Sequence, residues 1–145
     1  MGDTMMTPAP DVQDAYAEAP PIAREVAALL KLRRELGDGR PSYYPPASVN
    51  EVREVVLREA ALLDRLALTD SEATGDAVKA AVELREFDTR QGHGPSATFE
   101  GVVPPYADQW RDDPRGYARQ EYQHWLMVPP WKPALPTAPA GEAGA

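Results

Sequence analysis

The sequence predicts an all-α fold: a small three- to four-helix bundle built on an antiparallel helical hairpin, with disordered N- and C-terminal tails. Three observations carry this expectation. The 16 prolines leave one unbroken stretch of 48 residues, Ala47 to Gly94. Within the proline-free stretches, apolar residues recur at helical spacing. No segment of useful length alternates apolar and polar residues as a half-buried strand would.

The first helix is expected over residues 21–36. Pro20-Pro21 suits a helix start, and Gly37 and Gly39 supply a stop. Ile22, Val26, Leu29, Leu30, Arg33 and Leu36 form its stripe. The long window holds two more helices, 48–68 and 71–90. Ser48-Val49-Asn50-Glu51 reads as a capping box, and so does Thr69-Asp70-Ser71-Glu72. Val52, Val55, Val56, Leu62, Leu63 and Leu66 give the first of these an apolar stripe. Ala73, Ala77, Ala80, Ala81, Leu84 and Phe87 give the second a face of small residues that allows close approach. Glu54 with Arg58, and Glu86 with Arg90, are i,i+4 pairs in the favourable order. A short link makes the two helices antiparallel neighbours, and helix 21–36 should pack into their groove. Gly92-His93-Gly94-Pro95 ends the hairpin.

Residues 95–131 form an aromatic, proline-punctuated segment. Its short helix follows Asp113-Pro114, read as an N-cap with Pro in the first helical position. This segment should pack on the 20–94 three-helix unit or extend from it. Residues 1–19 carry acids and no base, and 132–145 are rich in Pro, Ala and Gly; both read as loose tails.

Composition narrows the function. The chain has 145 residues, no cysteine and a net charge of −8. Thiolate chemistry and disulfides are excluded. No apolar run is long enough to span a membrane, and no secretory leader stands at the start, so a cytoplasmic location is expected. The acidic balance argues against unspecific nucleic-acid binding, although half of the charge lies in the first 20 residues. Arginine outnumbers lysine 12 to 3, as coding by a high-GC bacterial genome produces.

The aromatics are uneven. Seven of eleven lie from Phe99 onward, including all three tryptophans. Two uses compete for them: closing an undersized core, or anchoring a partner. The partner-binding candidates are Trp110, Trp131, Tyr106 and Phe99. Tyr43-Tyr44-Pro45-Pro46 is a smaller cluster, read as a packed loop. Arg24, Lys31, Arg33 and Arg34 gather on the first helix and could hold an anion; helix-dipole complementarity explains them more simply. Glu121-Tyr122-Gln123-His124 has the Glu-x-x-His spacing of di-iron bundles, but a second such motif is missing. Ser96 lacks a nucleophile elbow. No catalytic or metal-binding residue and no cofactor is therefore expected. The leading expectation is a non-enzymatic adaptor that binds another protein, or a second copy of itself, through the aromatic segment. The alternatives are a nucleic-acid-associated regulator using helix 21–36, and a small helical metal-binding enzyme.

Overall fold

The computed structural model describes residues 7–37, 42–43, 45–92 and 94–127. They form five α-helices, with no strand among the described residues: α1 (Val12–Ala15), α2 (Ile22–Leu36), α3 (Val49–Ala67), α4 (Thr74–Gln91) and α5 (Pro114–Met127). The all-α bundle is as the periodicity requires.

The capping chemistry sets the boundaries. At α3 the Ser48 hydroxyl accepts from the Glu51 amide and the Glu51 carboxylate accepts from the Ser48 amide, so the first capping box forms as read. The second does not. Asp70, not Thr69, accepts from the Glu72 amide, and one 3₁₀ turn, Ser71–Ala73, intervenes before α4. Thr69 donates its hydroxyl backwards to the Leu66 carbonyl instead. Gly92 ends α4 at a φ of 81°, a left-handed conformation open to glycine. The Asp113 carboxylate accepts from the Gly116 amide and Pro114 is the first residue of α5, as its sequence implies.

α3 and α4 pack as an antiparallel hairpin and make the most extensive helix–helix contact of the molecule. α5, rather than α2, closes the hairpin. It packs on both α3 and α4, whereas α2 packs on α3. The core joins Leu57, Ala60 and Ala61 of α3, Ala80, Ala81 and Leu84 of α4, and Tyr117, Ala118, Tyr122, Trp125 and Leu126 of α5, together with Val103 and Trp110. The large side chains that fill the hairpin's small-residue face come from after residue 95, so the aromatic segment packs on the 20–94 unit and closes its core, the first of the two uses expected for its rings.

Of the expected N-terminal tail, residues 1–6 lie outside the described residues, while residues 7–19 are docked on the bundle. Tyr16 packs against the core, and α1 lies on α5. Gln109 donates to the Thr7 carbonyl at 2.6 Å. Ala9 sits so close to Gly116 that a methyl group there would meet both Ala9 and the Asp113 carboxylate. Gly116, which weakens α5 on propensity alone, is what admits this arm. The expected C-terminal tail, 132–145, lies outside the described residues.

Candidate functional site

Several ionisable residues of the hairpin are buried, among them Arg53, Asp64 and Asp88. They fall into three constellations, and two of these include a carboxylate that ends a periodic apolar row. On α4 the row Ala77, Ala81, Leu84 continues to Asp88; on α3 the row Leu57, Ala60, Ala61 continues to Asp64.

The first constellation centres on Arg53. Its Nε and Nη2 donate to the two carboxylate oxygens of Asp88 at 2.7 and 2.8 Å, and Nη2 also donates to Glu121 at 2.8 Å. Asp88 further accepts from the hydroxyls of Thr98 and Tyr117, both at 2.6 Å. Glu121 accepts from the backbone amides of Glu100 and Gly101 and from the Gln120 side-chain amide. Gln120 in turn bonds both the amide and the carbonyl of Val103. One cation and two carboxylates therefore tie α3, α4, α5 and the 98–103 loop together. Burial, with Glu121 and Asp88 close by, pushes the Tyr117 hydroxyl well above its ordinary pKa, so it is a neutral donor.

The second constellation centres on Asp64. Arg119 donates to both carboxylate oxygens at 2.8 and 3.0 Å, Tyr16 donates at 2.6 Å, and Arg115 donates through Nε. Burial alone would raise this carboxyl; the hydrogen bonds from Arg119, Tyr16 and Arg115 outweigh it and hold the carboxyl below its ordinary range.

The third constellation joins α2. Glu25 is buried and accepts from Arg58 Nε at 2.6 Å, while Arg58 Nη1 pairs with Glu54 at 2.9 Å, the i,i+4 pair expected from sequence. Arg58 lies 5.1 Å over the Trp125 ring, Trp125 stacks on Tyr122 at 5.6 Å, Tyr122 meets Tyr16 at 5.7 Å, and Arg65 lies over Tyr16. The result is a ladder of three rings with an arginine at each end. Glu25 explains why the inward face of α2 is rotated from the one expected: Leu29 of the expected stripe is buried beside Glu25 and Ile22 and Leu36 are half-buried, whereas Val26 and Leu30 are exposed.

In these constellations each carboxylate is committed to positively charged or neutral donors already within the fold. They staple helices together. Glu121 is engaged by Arg53 and the 100–101 amides, while His124 lines a separate cleft with Thr7, Pro8, Asp14 and Gln123. Among the described residues no three His, Cys, Asp or Glu side chains group as a metal site.

The partner-binding candidates separate. Trp110 is 1% exposed, donates its Nε1 to the Pro104 carbonyl at 3.0 Å and meets Tyr117 edge-on, so it is a core residue and not an outward anchor. Phe99 is half-buried against the core. Trp131 lies outside the described residues. Tyr106 is 49% exposed and lies on the surface. It lines an open groove of about 400 Å³ with Val82, Arg85, Glu86, Thr89 and Arg90 of α4. Arg85 fixes the groove's shape by donating to the Pro105 carbonyl at 2.6 Å. Of the basic residues on α2, Arg33 pairs with Glu59 across to α3, and Arg24, Lys31 and Arg34 are exposed. Arg33 stands on the opposite side of α2 from Arg24 and Lys31, so the four do not share one face of the helix.

Sequence reasoning missed the Arg53 and Asp64 centres. The readable signal was an acid placed in register with an otherwise apolar helical row. No helix among the described residues is long and apolar enough to cross a membrane. No protein-family model, curated protein or solved structure matches the chain.

Proposed function

We propose that this chain is a non-enzymatic, cytoplasmic adaptor that binds another protein through the groove between α4 and Tyr106. One observation carries the reading: Tyr106 stands half-exposed beside Val82 and two arginines in an open groove. Tyrosine and arginine around a small apolar patch are the usual composition of an interface anchor. The groove fits a partner segment that places one apolar side chain on Val82 and Tyr106 and a carboxylate near Arg90. The buried ion networks support the same reading, since they commit the chain's ionisable groups to rigidity and leave a firm platform.

The test is capture of partners from the native host on immobilised wild-type protein and on Tyr106→Ala and Arg90→Glu variants. Both variants should keep the wild-type melting temperature and lose a shared set of captured proteins. Capture that is unchanged in both variants would remove the groove from the account. A second reading rests on the exposed Arg24, Lys31 and Arg34 of α2, which could face a nucleic-acid backbone. It requires retention on DNA that falls steeply with salt.

A further inference from the structure

We infer that Arg65 of α3 and Tyr122 of α5 form an enclosed site for one small monovalent anion of the size of chloride. The site shares no residue with the Tyr106 groove.

The ring ladder has unequal ends. At one end Arg58 is committed to two carboxylates, Glu25 and Glu54. At the other, Arg65 lies 5.7 Å from the centre of the Tyr16 ring, and its Nη1 is buried with no hydrogen-bond partner among the described residues. The Tyr122 hydroxyl is in the same condition: the residue is 1% exposed, and its oxygen has no partner among the described residues. Both atoms belong to one neighbourhood. The Tyr16 and Tyr122 rings are 5.7 Å apart, and Arg65 stands over that same Tyr16 ring. Arg65 is also near enough to the Tyr122 hydroxyl for its charge to oppose the rise in that hydroxyl's pKa.

A guanidinium N–H can only donate, and the protonated phenol is free to donate. Two buried donors in an otherwise satisfied interior call for an acceptor between them. A water molecule is one such acceptor, but the charge balance selects an anion. The ladder and the Asp64 centre hold the guanidinium groups of Arg58, Arg65, Arg115 and Arg119 against the carboxylates of Glu25, Glu54 and Asp64. Asp113, a further acid near Arg119, is exposed and caps α5. One positive charge is left over, and it sits on Arg65. Glu25, the acid nearest in effect to Tyr122, is held by both Nε and Nη2 of Arg58, which offsets its repulsion of an anion. Both donor atoms are shut off from solvent, which favours an ion small enough to be enclosed.

One charged and one neutral hydrogen bond correspond to a dissociation constant of about 10 mM. The test is urea unfolding of the full chain at constant ionic strength, with sodium gluconate replaced stepwise by sodium chloride. Gluconate is too large for an enclosed site and serves as the inert anion. About 200 mM chloride should raise the wild-type ratio of folded to unfolded chain about twentyfold. The chloride NMR line should broaden in the presence of the wild type. Arg65→Met and Tyr122→Phe remove one donor each. With affinity reduced about tenfold, each variant should gain only about threefold from the same exchange. In gluconate Tyr122→Phe should unfold as the wild type does, which separates loss of the anion from any change in packing. Each variant is read by its response to chloride, so the test holds where Arg65→Met is weakened by loss of its contact with Tyr16. A wild type indifferent to the exchange, variants that gain as much as the wild type, or an unbroadened chloride line would overturn the inference.

Discussion

Replacing Arg53 with Met tests whether the interior depends on charge pairing. The guanidinium is 8% exposed and serves two carboxylates that are both at 0%. Methionine keeps most of the aliphatic volume and removes the cation. Asp88 then retains the Thr98 and Tyr117 hydroxyls, and Glu121 retains the Glu100 and Gly101 amides and the Gln120 side chain. Those neutral donors soften the loss, but two buried charges are left without their shared cation. Breaking a buried pair from one side costs about 3–5 kcal/mol. A domain of this size has roughly 5–15 kcal/mol in all, and about 4 °C is lost per kcal/mol, so the melting temperature should fall by about 12–20 °C. Urea unfolding followed by tryptophan fluorescence reads this directly, because Trp110 and Trp125 are both core residues. The triple variant Arg53→Met, Asp88→Asn, Glu121→Gln removes all three charges and should recover part of the loss. A deficit below about 1 kcal/mol, or a triple variant no more stable than Arg53→Met alone, would refute the account.

Further outcomes follow from the same geometry. Trp110→Ala should cost about 3–5 kcal/mol in urea unfolding, the cost of emptying a large core site; a change within error would return Trp110 to the surface. Asp64 contributes stability that is fully present above the ordinary carboxylate pKa and is lost as pH falls through its lower folded value. The wild type should therefore weaken steeply in acid, and Asp64→Asn should flatten that limb in melts taken across the acid range. Burial, with Glu25 nearby, pushes the Tyr122 hydroxyl up to about 12. Its contribution is intact below the ordinary tyrosine pKa and is lost as pH rises from there to the folded value, an effect of up to about 3 kcal/mol. Tyr122→Phe should remove that part of the alkaline transition and be nearly neutral at ordinary pH, because the Tyr122 hydroxyl has no hydrogen-bond partner among the described residues.

The hairpin, its first capping box, the Gly92 stop and the Asp113-Pro114 start were legible because each is decided within a few residues. The face of α2 was not. Helical spacing favours Val26 and Leu30 over Glu25, and only the arrival of Arg58 from α3 makes burial of Glu25 tolerable. The role of Trp110 was ambiguous for a related reason. Its position beside Arg111 in a loop says nothing of the Pro104 carbonyl that satisfies its indole. The N-terminal arm was invisible, since a stretch with four acids and few large apolar groups docks largely through Tyr16, whose partners are an aspartate, an arginine and a tyrosine ring far along the chain. The exposure of Tyr106 is compatible with its place in an aromatic segment, but the groove beside it needed α4 in place.

The Asp64 centre has a consequence for the order of assembly. Its ligands come from opposite ends of the chain: Tyr16, made early, and Arg115 and Arg119, made late. During synthesis the α3–α4 hairpin can form from its own local signals, yet it carries a carboxylate in its future interior with no arginine to meet it. Hydration must hold that group at the surface until α5 emerges, which delays collapse of the hairpin onto its small-residue face. The last helix then supplies the rings, the compensating charges and the seat for the arm together. Closure between the two ends of the chain makes the final step slow relative to hairpin formation and strongly cooperative. A nascent chain stalled before Arg115 should present α3 and α4 as an open, protease-sensitive pair.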